Sequence, residues 1–459
     1  MKIDLISDTV TRPTNSMLDA MMSADVGDDV FKSDPTVNKL QEMAASLFGM
    51  EDALFFPSGT MANQTAIKLH TQPGDKLFCD KWAHVYNYEG GGAAFNSGVS
   101  CKLIDGDRGM FSAEQLKVVS AGRADIHVPY SRLVCVENTT NKGGGACWDF
   151  EELKKIKQVC LDQNLDYHLD GARLFNALVA KNETPKQYGA LFDTISICLS
   201  KGLGAPIGSI LLGSKVHIAK ALRIRKLFGG AMRQVGFLAA AGIYAFDNHI
   251  ERLAEDHKKA KDIELVLNSL SYVKKVEPVE TNIIIFYVED YLNADDFISS
   301  MAEKNILLTP MGDGKIRIVT HLDFSEEMLK KAEEKIVNSK VTFKKADITK
   351  IWDINSDFAD LITCSLILEH IQNLDFIFKE AYKALKPNGF FFISELHPFK
   401  QYYGSKARYE TENGTEELEV YTHHISEFTS IAKNNSFELI EINEWFDEEN
   451  EIEIPRLIS

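Results

Sequence analysis

Two short stretches hold the residues with the greatest chemical potential. Asp170-Gly171-Ala172-Arg173 follows the apolar run Tyr167-His168-Leu169, and Ser200-Lys201-Gly202 follows Thr194-Ile195-Ser196-Ile197-Cys198-Leu199. Both runs read as strands, and residues just past strand ends of an α/β sheet face the ligand crevice. An acid and a lysine at neighbouring strand ends suit pyridoxal 5'-phosphate. The lysine can form a Schiff base with the aldehyde. The carboxylate can keep a proton on the pyridine nitrogen, so that the ring takes up the electrons of a breaking bond. Alone, the same residues equally suit a solvated loop lysine and a helix N-cap.

Other candidates lie along the chain. The strand-like Ala53-Leu54-Phe55-Phe56 runs into Pro57-Ser58-Gly59-Thr60 and then a helix pattern. Hydroxyls and free N–H groups converge there on a helix start, which favours a phosphate, although such turns also cap helices with nothing bound. His84 follows the strand Lys76-Leu77-Phe78-Cys79 and could stack on a cofactor ring or serve as a structural histidine. His127 precedes the strand that ends in Glu137-Asn138-Thr139. Arg233, close to Gly229 and Gly230, could reach a phosphate in its own or a neighbouring subunit. Arg317 alternates with Ile316 and Ile318, so it points away from their face, and its guanidinium suits a bidentate carboxylate clamp.

The elements that must position these residues alternate strand and helix from residue 53 to about 212, which predicts a mostly parallel sheet with covering helices. Ser209 to Leu212 is expected to return antiparallel. Helices follow at Lys215–Lys226, around Ala239–Gly242, and at Ile250–Leu270. Strands Ile283–Phe286 and Ile316–Val319, with a helix at Ala294–Lys304 between them, predict a small α+β domain.

At 459 residues the chain is long enough for two or three domains. A net charge of -17 argues against a nucleic-acid or anionic-membrane partner. The seven cysteines are scattered without metal-site or redox spacing, so no metal is expected and the thiols read as reduced. No signal-peptide core or membrane-length apolar run is apparent, and a cytoplasmic location is expected.

Over about residues 1–335 the ordered motifs resemble the low-specificity L-threonine aldolases, which are fold-type-I pyridoxal phosphate enzymes. They are Ser7-Asp8-Thr9-Val10-Thr11, Gly27-Asp28-Asp29-Val30, Pro57-Ser58-Gly59-Thr60-Met61, His84, Glu137-Asn138-Thr139, Asp170 to Arg173, Leu199 to Gly202, Met232-Arg233-Gln234, and Arg317 with Thr320-His321. The resemblance implies that Lys201 holds the cofactor and Asp170 its ring nitrogen. It implies that Ser58, Gly59 and Thr60 bind the phosphate with Arg233, and that His84 stacks on the ring. Ser7, Arg173 and Arg317 would grip the substrate carboxylate, with Arg173 also counted in the cofactor site. His127 would lie near the β-hydroxyl, and His84, His127 or a water would take its proton. The implied reaction is cleavage of L-threonine or L-allo-threonine to glycine and acetaldehyde by a homo-oligomer. β-Elimination from another β-substituted amino acid is the nearest alternative. Phe31, Thr140 and Lys32-Ser33 depart from the family's usual tyrosine, histidine and Gly-Glu, which bears on substrate preference and rate.

The expected domains are a large pyridoxal phosphate domain at 1–250, a small α+β domain at 251–322 and a third segment at 323–459. The third is similar to class I S-adenosylmethionine-dependent methyltransferases from the segment after their second strand. It has strands at Val341–Lys344, Ala359–Cys364 and Phe390–Ile393, the segment Lys386-Pro387-Asn388-Gly389, and Leu368-Glu369-His370-Ile371 as the post-strand turn. Asp323 would be the ribose acid, and Asp347 would lie near adenine. The strand, glycine-rich loop and helix that should precede Asp323 are missing, so this segment is expected to be a non-catalytic remnant, with a bifunctional fusion as the alternative.

Overall fold

The computed structural model describes residues 3–120, 125–312, 314–324, 346–365, 367–402, 408–411, 414–417, 420–449 and 452–458. The chain divides into two compact units, Met1–Val337 and Asn338–Ser459. The centre of the first is a seven-stranded sheet in the order Asp52–Phe56, Ser209–Gly213, Thr194–Cys198, Asp166–Gly171, Ser131–Glu137, Lys76–Asp80, Ser100–Ile104. Only Ser209–Gly213 runs against the others, as its sequence predicts. Thr194–Cys198 and Ser209–Gly213 are buried at every position. Such unbroken apolar runs belong to strands covered on both faces.

Helix boundaries follow local chemistry. Pro35–Phe48 starts at Asp34, whose carboxylate accepts from the N–H groups of Thr36 and Val37, and ends at Gly49 in the left-handed region (φ 64). Helix Gly236–Asn248 brings a row of small residues against the sheet. A Cβ on Gly242 would lie 2.9 Å from both Leu40 and Leu199, so only glycine permits this approach. The ion pair Arg225–Asp29 lies inside the same packing, with Arg225 Nη2 2.6 Å from Asp29 Oδ2 and Nη1 2.6 Å from the Phe55 carbonyl.

After the long helix Leu253–Ser269 comes an antiparallel sheet in the order Thr309–Pro310, Lys315–Val319, Ile283–Val288, Val273–Val276, with helix Ala294–Glu303 packed on it. The N-terminal Ile3–Asp4 pairs in parallel with Ile306–Leu307, and Leu5 enters the core of this small sheet. The first residues, expected in the large domain, therefore lie against the small one, and Ser7 and Asp8 emerge between the two sheets.

The second unit contains a four-stranded sheet in the order Ala359–Ser365, Leu385–Leu396, Ile452–Ile458, Glu444–Glu449. Helices Leu374–Ala384 and Ile425–Asn434 pack on it around Phe378, Phe391 and Phe437. The turn expected at Leu368–Ile371 is a short 3-10 turn at Leu368–His370, and the register of Leu385–Leu396 shifts at Lys386–Gly389, since Leu385 pairs with Ala359 and Phe390 with Leu361. The strand expected at Val341–Lys344 and the body of the helix expected after Asp323 lie outside the described residues. No helix among the described residues is long and apolar enough to cross a membrane.

The Arg225–Asp29 pair yields the first prediction. Arg225→Met leaves a buried carboxylate without its cation, which costs about 3–5 kcal/mol. The denaturant midpoint of the first unit should fall accordingly, and Asp29→Asn added to it should recover most of the loss.

Candidate active site

Three neighbouring strands present Glu137, Asp170 and Ser196 on one rung, because Glu137 pairs with Asp170 and Asp170 with Ser196. Asp170 is 2% exposed. Its Oδ1 accepts from the Ala172 N–H at 3.2 Å and its Oδ2 from Asn63 Nδ2 at 2.9 Å. Asn63 Nδ2 also donates to Glu89 Oε1 at 2.9 Å, while Asn63 Oδ1 accepts from Ser196 Oγ at 2.6 Å. Two carboxylates on one side and a hydroxyl on the other fix the orientation of this amide. His168 Nε2 lies 3.3 Å from the same Oδ1. Burial first, then the nearby His70, pulls His168 down to about 4, so it is neutral and donates to Asn63.

His84 Nδ1 lies 3.0 Å from Glu89 Oε1, and the His84 backbone N–H donates to Glu137 Oε2 at 2.9 Å. Burial would lower the imidazole's pKa. The hydrogen bond that His84 donates to Glu89 and the charges of Asp170 and Glu137 outweigh it, and the net shift is upward. Glu137 is raised to about 7 by burial and by Asp170, against the opposing effect of His84.

On the small-sheet side, Arg173 grips Asp8 with two parallel bonds, Nε–Oδ2 2.8 Å and Nη2–Oδ1 2.7 Å. Burial would raise the Asp8 pKa, but Arg173, Lys201 and the Asn282 amide hold it far below the usual carboxylate range. The expectation that Arg173 is free to grip a substrate is thus corrected in part: two of its three nitrogens are committed to Asp8. Arg317 donates to Asn141 Oδ1 at 2.9 Å and to the Ile6 carbonyl at 3.1 Å, and its buried Nε has no partner among the described residues. Burial and the charge of Arg173 lower its pKa to about 10. A guanidinium so placed is short of an anion. Ser7 caps the turn Asp8–Val10 through the Thr9 N–H.

Lys201 stands just past the buried strand Thr194–Cys198, with its charge felt by Asp8 and Cys198. Its ammonium makes no hydrogen bond among the described residues. The helix Gly59–His70 starts over the same strand end, since a Cβ on Gly59 would lie 2.5 Å from Cys198 Sγ. Ser58 Oγ caps this helix through the Met61 N–H, and Thr60 is exposed in its first turn.

Two expected residues are not brought to the crevice. His127 lies in an exposed stretch and bonds through its backbone N–H to Asp125. Arg233 is salt-bridged to Asp28 at 2.8 Å and lies over the Phe31 ring. Neither distance along the chain nor residue type reveals that Asp28 takes this arginine. The sequence reading also passed over Asn63, Glu89 and Asn141. Asn63-Gln64-Thr65 is a visible signal, being a polar triplet in an otherwise apolar, buried stretch of helix.

The residues fit pyridoxal phosphate. Among the described residues, Asp170 is a buried carboxylate held by amide groups with no cationic side chain bonded to it, which suits a protonated pyridine nitrogen. Lys201, without a hydrogen bond among those residues, follows the adjoining strand, and the Ser58–Thr60 helix start supplies N–H and hydroxyl donors for a phosphate.

Comparison with known proteins agrees. Residues 4–291 match the beta-eliminating lyase family model, and 306–393 match a methyltransferase domain model. The low specificity L-threonine aldolase of Escherichia coli K12 is 42% identical over 327 residues, covering 71% of this chain and 96% of that one. The low-specificity L-threonine aldolase 1 of Arabidopsis thaliana is 39% identical over 325 residues, covering 70% and 91%. This chain belongs to the low-specificity L-threonine aldolase family. It is a lyase, and its cofactor is pyridoxal 5'-phosphate. A solved structure of Leishmania major threonine aldolase shares the fold, with a TM-score of 0.63, 21% identity, and 73% and 98% of the two chains covered.

The methyltransferase match overlaps the aldolase, and its residues do not fit S-adenosylmethionine. Lys315–Val319 already has sheet neighbours on both sides. Asp323, expected to hold the ribose, accepts the Arg12 N–H at 2.9 Å inside the first unit. Asp347, expected near adenine, bonds to Thr349 and Lys350 at the surface.

The Asp8–Arg173 pair sets a pH dependence. A carboxylate with a depressed folded pKa contributes stability that is present above its unfolded value and lost as pH falls through the folded one. The melting temperature of the chain should therefore drop as pH is lowered below about 4. Asp8→Asn should melt lower than wild type at pH 7 and show a smaller further drop in acid.

Proposed function

We propose that this lyase cleaves L-threonine or L-allo-threonine to glycine and acetaldehyde. The observation that carries the reading is the delivery of Asp170 and Lys201 to adjoining strand ends in a crevice of buried carboxylates. Lys201 would hold the cofactor, Asp170 would keep the proton at its ring nitrogen, and His84 would contribute an imidazole beside it. Ser58, Gly59 and Thr60 would hold the phosphate. Arg233 is left to Asp28 unless a neighbouring copy redirects it. When bound, pyridoxal phosphate supplies a sink for the electron pair released as Cα–Cβ breaks.

The chain's own residues do the rest. Arg317, through its unpartnered Nε, takes the substrate α-carboxylate, with Arg173 and Ser7 beside it. Fixing that carboxylate orients the Cα–Cβ bond for cleavage. Glu89 engages His84 Nδ1, which leaves Nε2 as the atom that accepts the β-hydroxyl proton. Asp8 keeps Arg173 from swinging into the crevice. We further propose that the chain works as a homo-oligomer. Phe31, Phe95 and Ile126 are large apolar side chains left exposed, and a neighbouring copy would cover them and shelter His127.

The test is acetaldehyde release from L-allo-threonine by the full chain. Lys201→Ala should abolish it. His84→Asn should lower kcat by roughly 10²–10⁴-fold if the imidazole moves the proton. In the wild type, activity should rise with pH through a value above the ordinary histidine range, and His84→Asn should lack that limb. Unchanged kcat in His84→Asn would remove the imidazole from the proton transfer.

A further inference from the structure

Glu137 has no part in the chemistry above, yet three parts of the crevice meet at it. It is the last residue of the strand Ser131–Glu137 and is 7% exposed. Its Oε2 accepts the backbone N–H of His84 at 2.9 Å, and its Oε1 accepts the backbone N–H of Asn141 at 2.9 Å. Asn141 then accepts Arg317 Nη1 on its Oδ1 at 2.9 Å. The backbone around Glu137 is itself fixed. Trp148 Nε1 donates to the Glu137 carbonyl at 2.9 Å, and the Asn138 N–H donates to the Asp170 carbonyl at 3.0 Å. One carboxylate thus ties the segment bearing His84 to the turn that aims Arg317.

We propose that Glu137 is a positioning residue that couples His84 to the Arg317 clamp, and so sets where the substrate α-carboxylate lies relative to the imidazole. The inference rests on the lyase reading and adds a means of regulation to it. Both oxygens serve as acceptors only while the group is ionised, because a protonated carboxyl turns one oxygen into a donor facing an N–H. The charges around Glu137 are Asp170 on the adjoining strand, His84 beyond the strand Lys76–Asp80, and Arg173 in the turn after Asp170. Burial and Asp170 prevail and bring the carboxyl to about 7. The coupling therefore weakens progressively as pH falls through about 7.

Two variants of the full chain test this, read through glycine, which is bound but has no Cβ to lose. Glycine affinity is followed by the change it makes in the absorbance of the bound cofactor. In the wild type it should weaken as pH falls from 8 to 6, through about 7. Glu137→Gln replaces one acceptor by a donor, and it should weaken glycine roughly tenfold at pH 8 and remove the pH dependence. Asn141→Ala cuts only the Arg317 arm, so it should weaken glycine while keeping the cofactor bound. A readout free of cofactor is thermal unfolding. A buried carboxyl with a raised pKa stabilises the fold below its unfolded value, and that contribution is lost as pH rises through about 7. Glu137→Gln should lack this decline. Wild-type glycine affinity and pH profile in Glu137→Gln would overturn the inference, as would unchanged affinity in Asn141→Ala should Glu137→Gln fail to fold. If glycine responds as expected but no acetaldehyde forms from threonine, the substrate reading fails and this one stands.

Discussion

Buried negative charge is the constraint around which the first unit is built. Asp8, Glu89, Glu137 and Asp170 are each less than a tenth exposed, and they surround one crevice. An unpaired ion in the interior costs several kcal/mol even after relaxation. Each of the four answers this differently. Asp8 takes a bidentate arginine, and Glu89 takes His84 and the amides of Asn63 and Gln64. Glu137 accepts two backbone N–H groups and moves its pKa upward instead of gaining a cation. Asp170 has amide partners only. Among the described residues the crevice is therefore short of positive charge at Asp170, which suits the protonated pyridine nitrogen of the proposed reading. The same field raises His84 and leaves Lys201 without a carboxylate of its own.

Backbone geometry converts that balance into a site. Parallel strands end at one edge of the sheet, so register alone sets Glu137, Asp170 and Ser196 side by side. Close approach does the remainder. Gly59 seats the helix start against Cys198, and a Cβ on Gly171 would lie 2.6 Å from the Ser196 carbonyl. These contacts bring the Ser58–Thr60 helix start, the Asp170 turn and the Lys201 turn together without a long loop. The small sheet closes the opposite side, because Ile3–Asp4 pairs with it and carries Ser7 and Asp8 back towards Arg173.

What the sequence reveals and what it hides divide along this line. Strands and helix caps are written locally. The apolar runs, Asp34 before Pro35, Gly49 and the placement of Asp170 and Lys201 after strands all follow from short-range rules. Partners are not local. Asp8 meets Arg173 across 165 positions, and Arg225 meets Asp29 across 196. A motif names such residues without saying which of them bond to each other. Arg173 therefore read as a substrate ligand when much of its hydrogen-bonding capacity goes to Asp8, and Arg233 read as a phosphate ligand when it is paired with Asp28. Asn63 was hidden for another reason. Its worth lies in an amide whose donor side faces two carboxylates, and that is a property of the fold.

The same reasoning bears on the stretch where the methyltransferase match enters the lyase's small sheet. A strand has two edges, and both edges of Lys315–Val319 are taken, by Ile283–Val288 and by Thr309–Pro310. Its side chains Ile316 and Ile318 are in the small-sheet core, and Thr320 and His321 are buried beyond it. His321 Nε2 donates to the Asp4 carbonyl at 2.7 Å, and Asp323 accepts the Arg12 N–H. The start of the methyltransferase match, residues 306–323, is thus held by contacts within the first unit. Shifting it to a second sheet would empty a core and free a buried histidine. The lyase arrangement wins because its contacts are already complete within the first unit. The second unit keeps a sheet of its own, with helices packed around Phe378, Phe391 and Phe437.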